Sequence, residues 1–328
     1  VKSDPRLAWL LRAIGLGLFV FLVLRSDPAA IAGVLKRSRL LPLFAAGLMI
    51  FPMIAFKTAR WRDLQRAVRI EGISFGDSYR AYMEGLFAGL VTPGRVGEFV
   101  RVRSLTRRGA PLGSAMATVL WDRIFDVLGL LFLGSVALIP LAGSFRGLYV
   151  GSLVALGGGL LVAGVVLFGP TGGWQDLLSR PGAGGADSVG RLRRKLGEAV
   201  GALLLASRSF RGGLLARVGL LTLAGWGVYY LQAWLLASTI RLELPFVSLV
   251  VAVTAAAVAT FLPISISGIG TRDVALVIIF QRMGKTREEA LAYSALVLAM
   301  LILNALIGLV ASRSGGPVPL SRSDIDSN

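Results

Sequence analysis

Residues Gly89–Arg103 read GLVTPGRVGEFVRVR. The stretch is apolar at its start and arginine-rich at its end, and Pro93-Gly94 and Gly97-Glu98 break it in the middle. The apolar arm leading in, Ala81–Thr92, is 12 residues, or ~18 Å as a helix against a hydrocarbon core of ~30 Å. It is too short to cross a bilayer. Arg101, Arg103, Arg107 and Arg108 then return the chain to a basic surface. The expected shape is a re-entrant hairpin: in to mid-membrane, a break at Pro93-Gly94, and back.

Composition supplies the membrane. The chain has 328 residues, 55% of them hydrophobic, with a mean hydropathy of +0.73. That is far too apolar for an ordinary soluble domain. The net charge is +17, but the arginines sit between hydrophobic runs and are not interleaved with aromatics. This is the pattern of cytoplasmic loops and of attraction to anionic head groups, not of nucleic-acid binding. Cys and His are both absent, which removes disulfides, thiol nucleophiles, Cys/His metal sites and histidine acid–base catalysis. No catalytic residue, cofactor or metal is expected.

Six full spans are expected: Ala8–Leu24, Leu40–Phe56, Leu112–Pro140, Leu148–Phe168, Leu214–Ala237 and Glu289–Ala311. Residues 1–24 begin at Val1 without Met and lack a small-residue cleavage motif, so a retained first helix is expected. Lys57, Arg60, Arg62, Arg66 and Arg69 follow the second span as a basic loop. The positive-inside rule then puts the N-terminus and that loop in the cytoplasm. Thr171–Gly190 reads as a loop, and residues 191–211 as a basic amphipathic helix on the cytoplasmic leaflet. The polar tail from Ser312 onward reads as disordered.

A second broken stretch, PISISGIGTRDVALVIIF (Pro263–Phe280), lies at the same place in a second half. Glu98, Gly109 and Ala115 recur as Asp273, Gly284 and Ala290, each 175 positions on. The same shift carries the second span onto 214–237 and Leu112–Leu133 onto the last span. Each half is therefore span, broken hairpin, long span. The sequence thus predicts an all-α polytopic membrane protein of about six spans and two re-entrant hairpins in an inverted repeat, with a midplane site. Its boundaries are one transmembrane domain over 1–318, with halves at about 40–140 and 214–312, and a tail at 319–328. Pro245–Leu262 is long enough to cross fully (18 residues, ~27 Å). A full crossing would put the C-terminus outside and remove the inversion.

Irregular backbone at membrane depth survives where protein or a water-filled cavity satisfies it. Gly97-Glu98 and Thr271-Arg272-Asp273 sit where half-helices start, and Gly268 and Gly270 let backbone approach a ligand. With Arg95, Arg101 and Arg272 nearby, the favoured guest is an anion, most simply a phosphate. Alternatively, Glu98 and Asp273 are first-turn carboxylates that stabilise a helix N-terminus. The span VLWDRIFDVLG adds Asp122 and Asp126 on one helix face, with Arg123 in reach of Asp126. Charges there must face protein or water and must pair. A salt bridge such as Arg123 with Glu98 and a substrate or proton-coupling role both remain open. The second half carries only Asn304 in the corresponding helix, so the chemistry is asymmetric.

The stretches TPGRVGEFVRVRSL, VLWDRIFDVLGLL and LPISISGIGTRDVAL resemble the blocks of the lysylphosphatidylglycerol synthase transmembrane, or flippase-like, family. Pro93, Gly97, Glu98 and Arg101 match the first block, and Arg123 and Asp126 the second. Pro263, Gly268, Gly270, Arg272 and Asp273 match the third, with Ser267 where Gly is common and Asp273 where Glu is usual. The resemblance covers nearly the whole chain. It implies a multi-pass protein of a bacterial or archaeal inner membrane that translocates lipids or assists lipid or glycan assembly enzymes. Because 17 residues follow the last span, a stand-alone member without the soluble aminoacyl-transferring domain is expected. The expected partner is an anionic phospholipid or polyprenyl-phosphate-linked lipid, with homo-oligomers or a biosynthetic enzyme as further partners. The expected function is flipping such a lipid. Alternatives are a membrane transferase on a lipid phosphate, with Glu98 or Asp273 as base, and an accessory scaffold.

Overall fold

In a computed structural model of the chain, the structure describes residues 28–90, 92, 96–168, 201, 209, 210, 212–260 and 268–313. These residues form helices and turns, with no strand among them. The first span, the break at Pro93-Gly94-Arg95, most of 191–211 and the tail beyond Arg313 lie outside the described residues.

In order, the helices are α1 (Pro28–Lys36), α2 (Leu40–Leu48), α3 (Ile50–Ala67), α4 (Phe75–Leu90), a 3-10 turn (Val96–Phe99), α5 (Val100–Thr106) and α6 (Leu112–Leu138). There follow α7 (Arg146–Phe168), α8 (Gly212–Thr239), α9 (Phe246–Ala259), α10 (Thr271–Arg282) and α11 (Arg287–Arg313). Five helical runs are long and apolar enough to cross a membrane: Leu40–Ala67, Leu112–Leu141, Arg146–Val165, Gly212–Thr239 and Arg287–Val310. These cover the second to sixth expected spans. The chain is a polytopic membrane protein. Its outward side chains, among them Leu41, Phe44, Leu161 and Val162, are largely exposed and apolar, as lipid contact requires.

The short helices are short in the structure too. α9 has 14 residues, ~21 Å, and α4 has 16, ~24 Å, both below the ~30 Å core. α4 begins earlier than its apolar pattern suggests because Ser74 caps it: the Asp77 N–H donates to Ser74 Oγ at 3.1 Å, and the Ser74 hydroxyl donates to the Asp77 carboxylate at 2.7 Å. α9 starts directly after Pro245 and ends at Thr260, whose hydroxyl donates to the Ala257 carbonyl at 2.7 Å. Asp77, at the start of α4, meets Arg108, just beyond α5, at 3.0 Å. Arg108 and then Ser74 hold the Asp77 carboxyl down at about 2. The pair is exposed enough to be worth at most about 1 kcal/mol, but it ties the start of α4 to the chain just beyond α5.

One expectation changes. The second span does not end at Phe56 in a basic loop. The helix runs on to Ala67, and Thr58, Arg60, Trp61, Asp63 and Leu64 are buried along it. Lys57 and Arg60 therefore belong to the interior rather than to the cytoplasmic surface. Carboxylates on α6 supply the physical reason, as described below.

Packing repeats between the halves. α4 lies against α11, and α9 against α6, so each of these two short helices rests on a long one. α3 and α8 pack on each other between them. Both crossings use a glycine. A Cβ at Gly134 would stand 2.5 Å from Thr254, and one at Gly308 would stand 2.7 Å from the Met83 carbonyl oxygen. Gly308→Val is therefore expected to force α4 and α11 apart and to cost about 1–3 kcal/mol. A lowered thermal midpoint in detergent would register it, and an unchanged midpoint would count against this packing.

Candidate functional site

α6 sets the site. Asp122 and Asp126 stand one turn apart on one face, and burial leaves them almost no access to water. Charge in such a place must be matched by charge. α3 supplies it from Lys57 and Arg60, again one turn apart. Arg60 donates to Asp122 from Nε at 2.9 Å and Nη2 at 2.6 Å, and from Nη1 to Asp126 at 3.1 Å. Lys57 Nζ lies 2.8 and 2.9 Å from the two Asp126 oxygens.

The returning arm adds the rest. On α4, Tyr82, Gly85 and Gly89 share a face. The two glycines open a groove for the side chains that follow the break. A Cβ at Gly85 would come within 2.9 Å of Arg101 Cγ, and one at Gly89 within 2.6 Å of Glu98 Cγ. A Cβ at Gly97 would strike the Ala88 carbonyl, so the arm can lie this close only with glycine there. Its N–H donates to Thr92 Oγ1 at 2.7 Å. Through this groove Arg101 reaches Asp122 at 2.8 Å, beneath the rings of Tyr82 (4.3 Å) and Trp61 (5.0 Å). Glu98 meets Arg123 at 2.5 Å and Arg101 at 3.6 Å. Arg123 also approaches Asp126 at 3.6 Å and Asp122 at 3.7 Å.

Among the described residues, the network thus gathers four cations (Lys57, Arg60, Arg101, Arg123) around three carboxylates (Glu98, Asp122, Asp126), one positive charge more than negative. The Arg123–Glu98 bridge expected from sequence is present, but it lies within the first half. Contacts to the second half run through α8. Arg60 Nη1 donates to Thr222 Oγ1 at 3.1 Å, the Trp226 indole N–H to the Asp126 carbonyl at 3.0 Å, and Lys57 Nζ sits 4.8 Å from the Trp226 ring centre.

Beside the network lies a cavity of about 150 Å³, room on the order of ten waters. Lys57 and Glu98 line it from the first half, and Gln232, Arg272 and Asn304 from the second. Its remaining wall is largely apolar and aromatic, including Trp226, Tyr229 and Tyr293.

The second break is built differently. Gly268 and Gly270 turn the chain with φ of +77° and +88°, conformations that favour glycine. Asp273 caps α10: its Oδ2 accepts from the Gly270 N–H at 2.8 Å. Its Oδ1 accepts from Arg272 Nη2 at 2.9 Å and from the Ser294 hydroxyl. Asp273 therefore has the helix-start role offered as its alternative, whereas Glu98 is an ion-pair partner.

Of the residues singled out from sequence, Glu98, Arg101, Asp122, Arg123 and Asp126 come together, and Arg272 faces the same cavity as Glu98. Gly97, Gly268, Gly270 and Asp273 shape the breaks without lining it, and Arg95 lies outside the described residues. Arg101 does not face the cavity. Its side chain is fully enclosed. Lys57 and Arg60 are the residues that sequence reading missed. Two carboxylates on one helix face need more cation than Arg123 alone, and Lys57 and Arg60, three residues and so about one turn apart, directly follow an apolar run.

Residues 9–308 match the family model described as the lysylphosphatidylglycerol synthase TM region. No curated protein matches the chain. With nearly its whole length matched, the chain belongs to the lysylphosphatidylglycerol synthase TM-region family.

Proposed function

Taking that membership as premise, we propose that the protein moves an anionic lipid across the cell membrane by passing its head group through the cavity between the two halves. One observation carries the reading: a cavity is lined by Lys57 and Arg272 and backed by a network in which, among the described residues, cations outnumber carboxylates by one. An anionic head group would complete that charge balance. Carrying a bare phosphate through hydrocarbon costs many kcal/mol, so fixed counter-charge is what translocation needs. The acyl or prenyl chains stay in lipid.

The repeat supports alternating access. With both broken hairpins returning to the side they enter from, two spans separate α3 from α8, so α3 and α8 run in opposite directions. The two halves are then inverted and meet at the midplane. The Asp77–Arg108 pair favours such a return for the first hairpin, and α9 is too short to cross. The basic loops put the N-terminus in the cytoplasm. In this scheme Lys57 and Arg272 face the anion. Arg60, Arg101 and Asp122 hold the halves' geometry, and Glu98 and Arg123 link network to cavity.

The test is head-group movement in proteoliposomes, followed by dithionite quenching of fluorescent lipids. Labelled phosphatidylglycerol is expected to cross at least tenfold faster than in protein-free vesicles, with labelled phosphatidylcholine slower. Equal rates for both lipids would refute anion selectivity, and no acceleration of either would refute translocation.

A further inference from the structure

The polar groups that line the cavity are not equally occupied. Lys57 is held by Asp126, and Glu98 by Arg123. Gln232 donates to the Ala46 carbonyl, Thr260 to Ala257 and Tyr293 to Ala233. Two groups differ. Arg272 is 4% exposed, and its Nη1 is buried with no hydrogen-bond partner. Asn304 Oδ1 is buried with no partner as well.

Both groups come from the second half, Arg272 from α10 and Asn304 from α11, and both line the one cavity. Their chemistries are complementary rather than alike. A guanidinium N–H that has Asp273 and Ser294 on its other side can only donate, and an anionic oxygen suits it best. A carboxamide offers one acceptor and two donors, whichever way it is turned. The group that uses both faces is a hydroxyl, which donates and accepts at once. In the first half, 175 positions earlier, Asn304 is matched by Gly129, so nothing there duplicates it.

We propose that Asn304 is a specificity-determining residue: beside the anion held at Arg272, it reads a hydroxyl on the head group. The site therefore prefers phosphodiester lipids whose head group carries a free hydroxyl over equally charged lipids that lack one. This rests on the translocation reading for its transport arm, but not for its binding arm. Polar groups that no other part of the protein pairs with are the source of discrimination, because a ligand without the hydroxyl displaces water from Asn304 and offers nothing in return.

Phosphatidylglycerol and phosphatidylmethanol make the comparison, since both carry one negative phosphodiester and only the first has free hydroxyls. In proteoliposomes, wild type is expected to move phosphatidylglycerol about two- to tenfold faster than phosphatidylmethanol. Asn304→Leu, close in volume, is expected to bring that ratio near one, and Asn304→Gln to restore part of it. In detergent, short-chain versions of the two lipids are titrated against thermal unfolding. The larger upward shift should come from phosphatidylglycerol in wild type and disappear in Asn304→Leu. A wild-type ratio near one in both assays overturns the assignment and leaves translocation standing. A ratio that survives Asn304→Leu also overturns it. Binding discrimination without any lipid movement upholds it while refuting translocation.

Discussion

Asp122→Ala is expected to remove most of the folded protein. The carboxylate has no exposure and accepts four hydrogen bonds: two from Arg60, one from Arg101 at 2.8 Å and one from the Tyr82 hydroxyl at 3.2 Å. Truncation leaves Arg101 with Glu98 at 3.6 Å as its remaining ion pair, and Arg60 with Asp126 and Thr222. The excess positive charge then rises from one to two in a region without bulk water. Breaking one side of a buried pair costs about 3–5 kcal/mol, a large share of any protein's stability. Size-exclusion chromatography after a heating series in mild detergent should show a collapse of the monodisperse peak. Asp77→Ala, which loses a part-exposed pair, should shift it little. Similar behaviour of the two variants would mean that the network does not hold the helices together.

The five spans within the described residues were legible because each fills the bilayer with apolar residues, and α4 and α9 stand out because each is too short to do so. The sequence places the start of the last span at Glu289, two residues after α11 begins. In TREE, residues 286–289, the Glu289 N–H donates to Thr286 Oγ1 at 3.1 Å, and the Thr286 N–H donates to Glu289 at 2.8 Å, a capping box that sets the earlier start. The offset of 175 is a sequence feature, and the inverted repeat drawn from it belongs to the proposal.

What could not be read was pairing. Lys57 and Arg60 follow an apolar run, and by the positive-inside rule such residues mark a loop. Only the Asp122–Asp126 face on α6 draws them inward, and that is a tertiary fact. The enclosure of Arg101 was equally hidden. Its spacing from the break suits a ligand contact, but Trp61 and Tyr82, from two other helices, close over it. Asp273 and Glu98 occupy equivalent positions and do different work, because Arg123 on α6 has no charged counterpart on α11, where position 298 is leucine. Sequence locates the charges; the helices facing them decide their use.

Lys57→Gln is expected to slow movement of the anionic lipid roughly ten- to hundredfold while leaving the fold in place. Lys57 is the network's cation at the cavity wall, with its side chain 13% exposed where Arg60 and Arg101 are sealed. Replacing it makes the cluster neutral, three cations against three carboxylates, so a head group no longer restores a missing charge. Asp126 keeps Arg60 at 3.1 Å and Arg123 at 3.6 Å, and the glutamine amide can still donate to it, so the helices should stay assembled. A charge-assisted hydrogen bond is worth about 1.5–3 kcal/mol, or roughly ten- to hundredfold in rate if lost on the way to the midplane. The signature is a split between two measurements: phosphatidylglycerol movement down by that factor, thermal midpoint in detergent nearly unchanged. Lys57→Arg, which keeps the charge, should recover part of the rate. If Lys57→Gln transports as well as wild type, the excess charge has no part in transport. If it unfolds as Asp122→Ala should, Lys57 is a strut rather than a ligand.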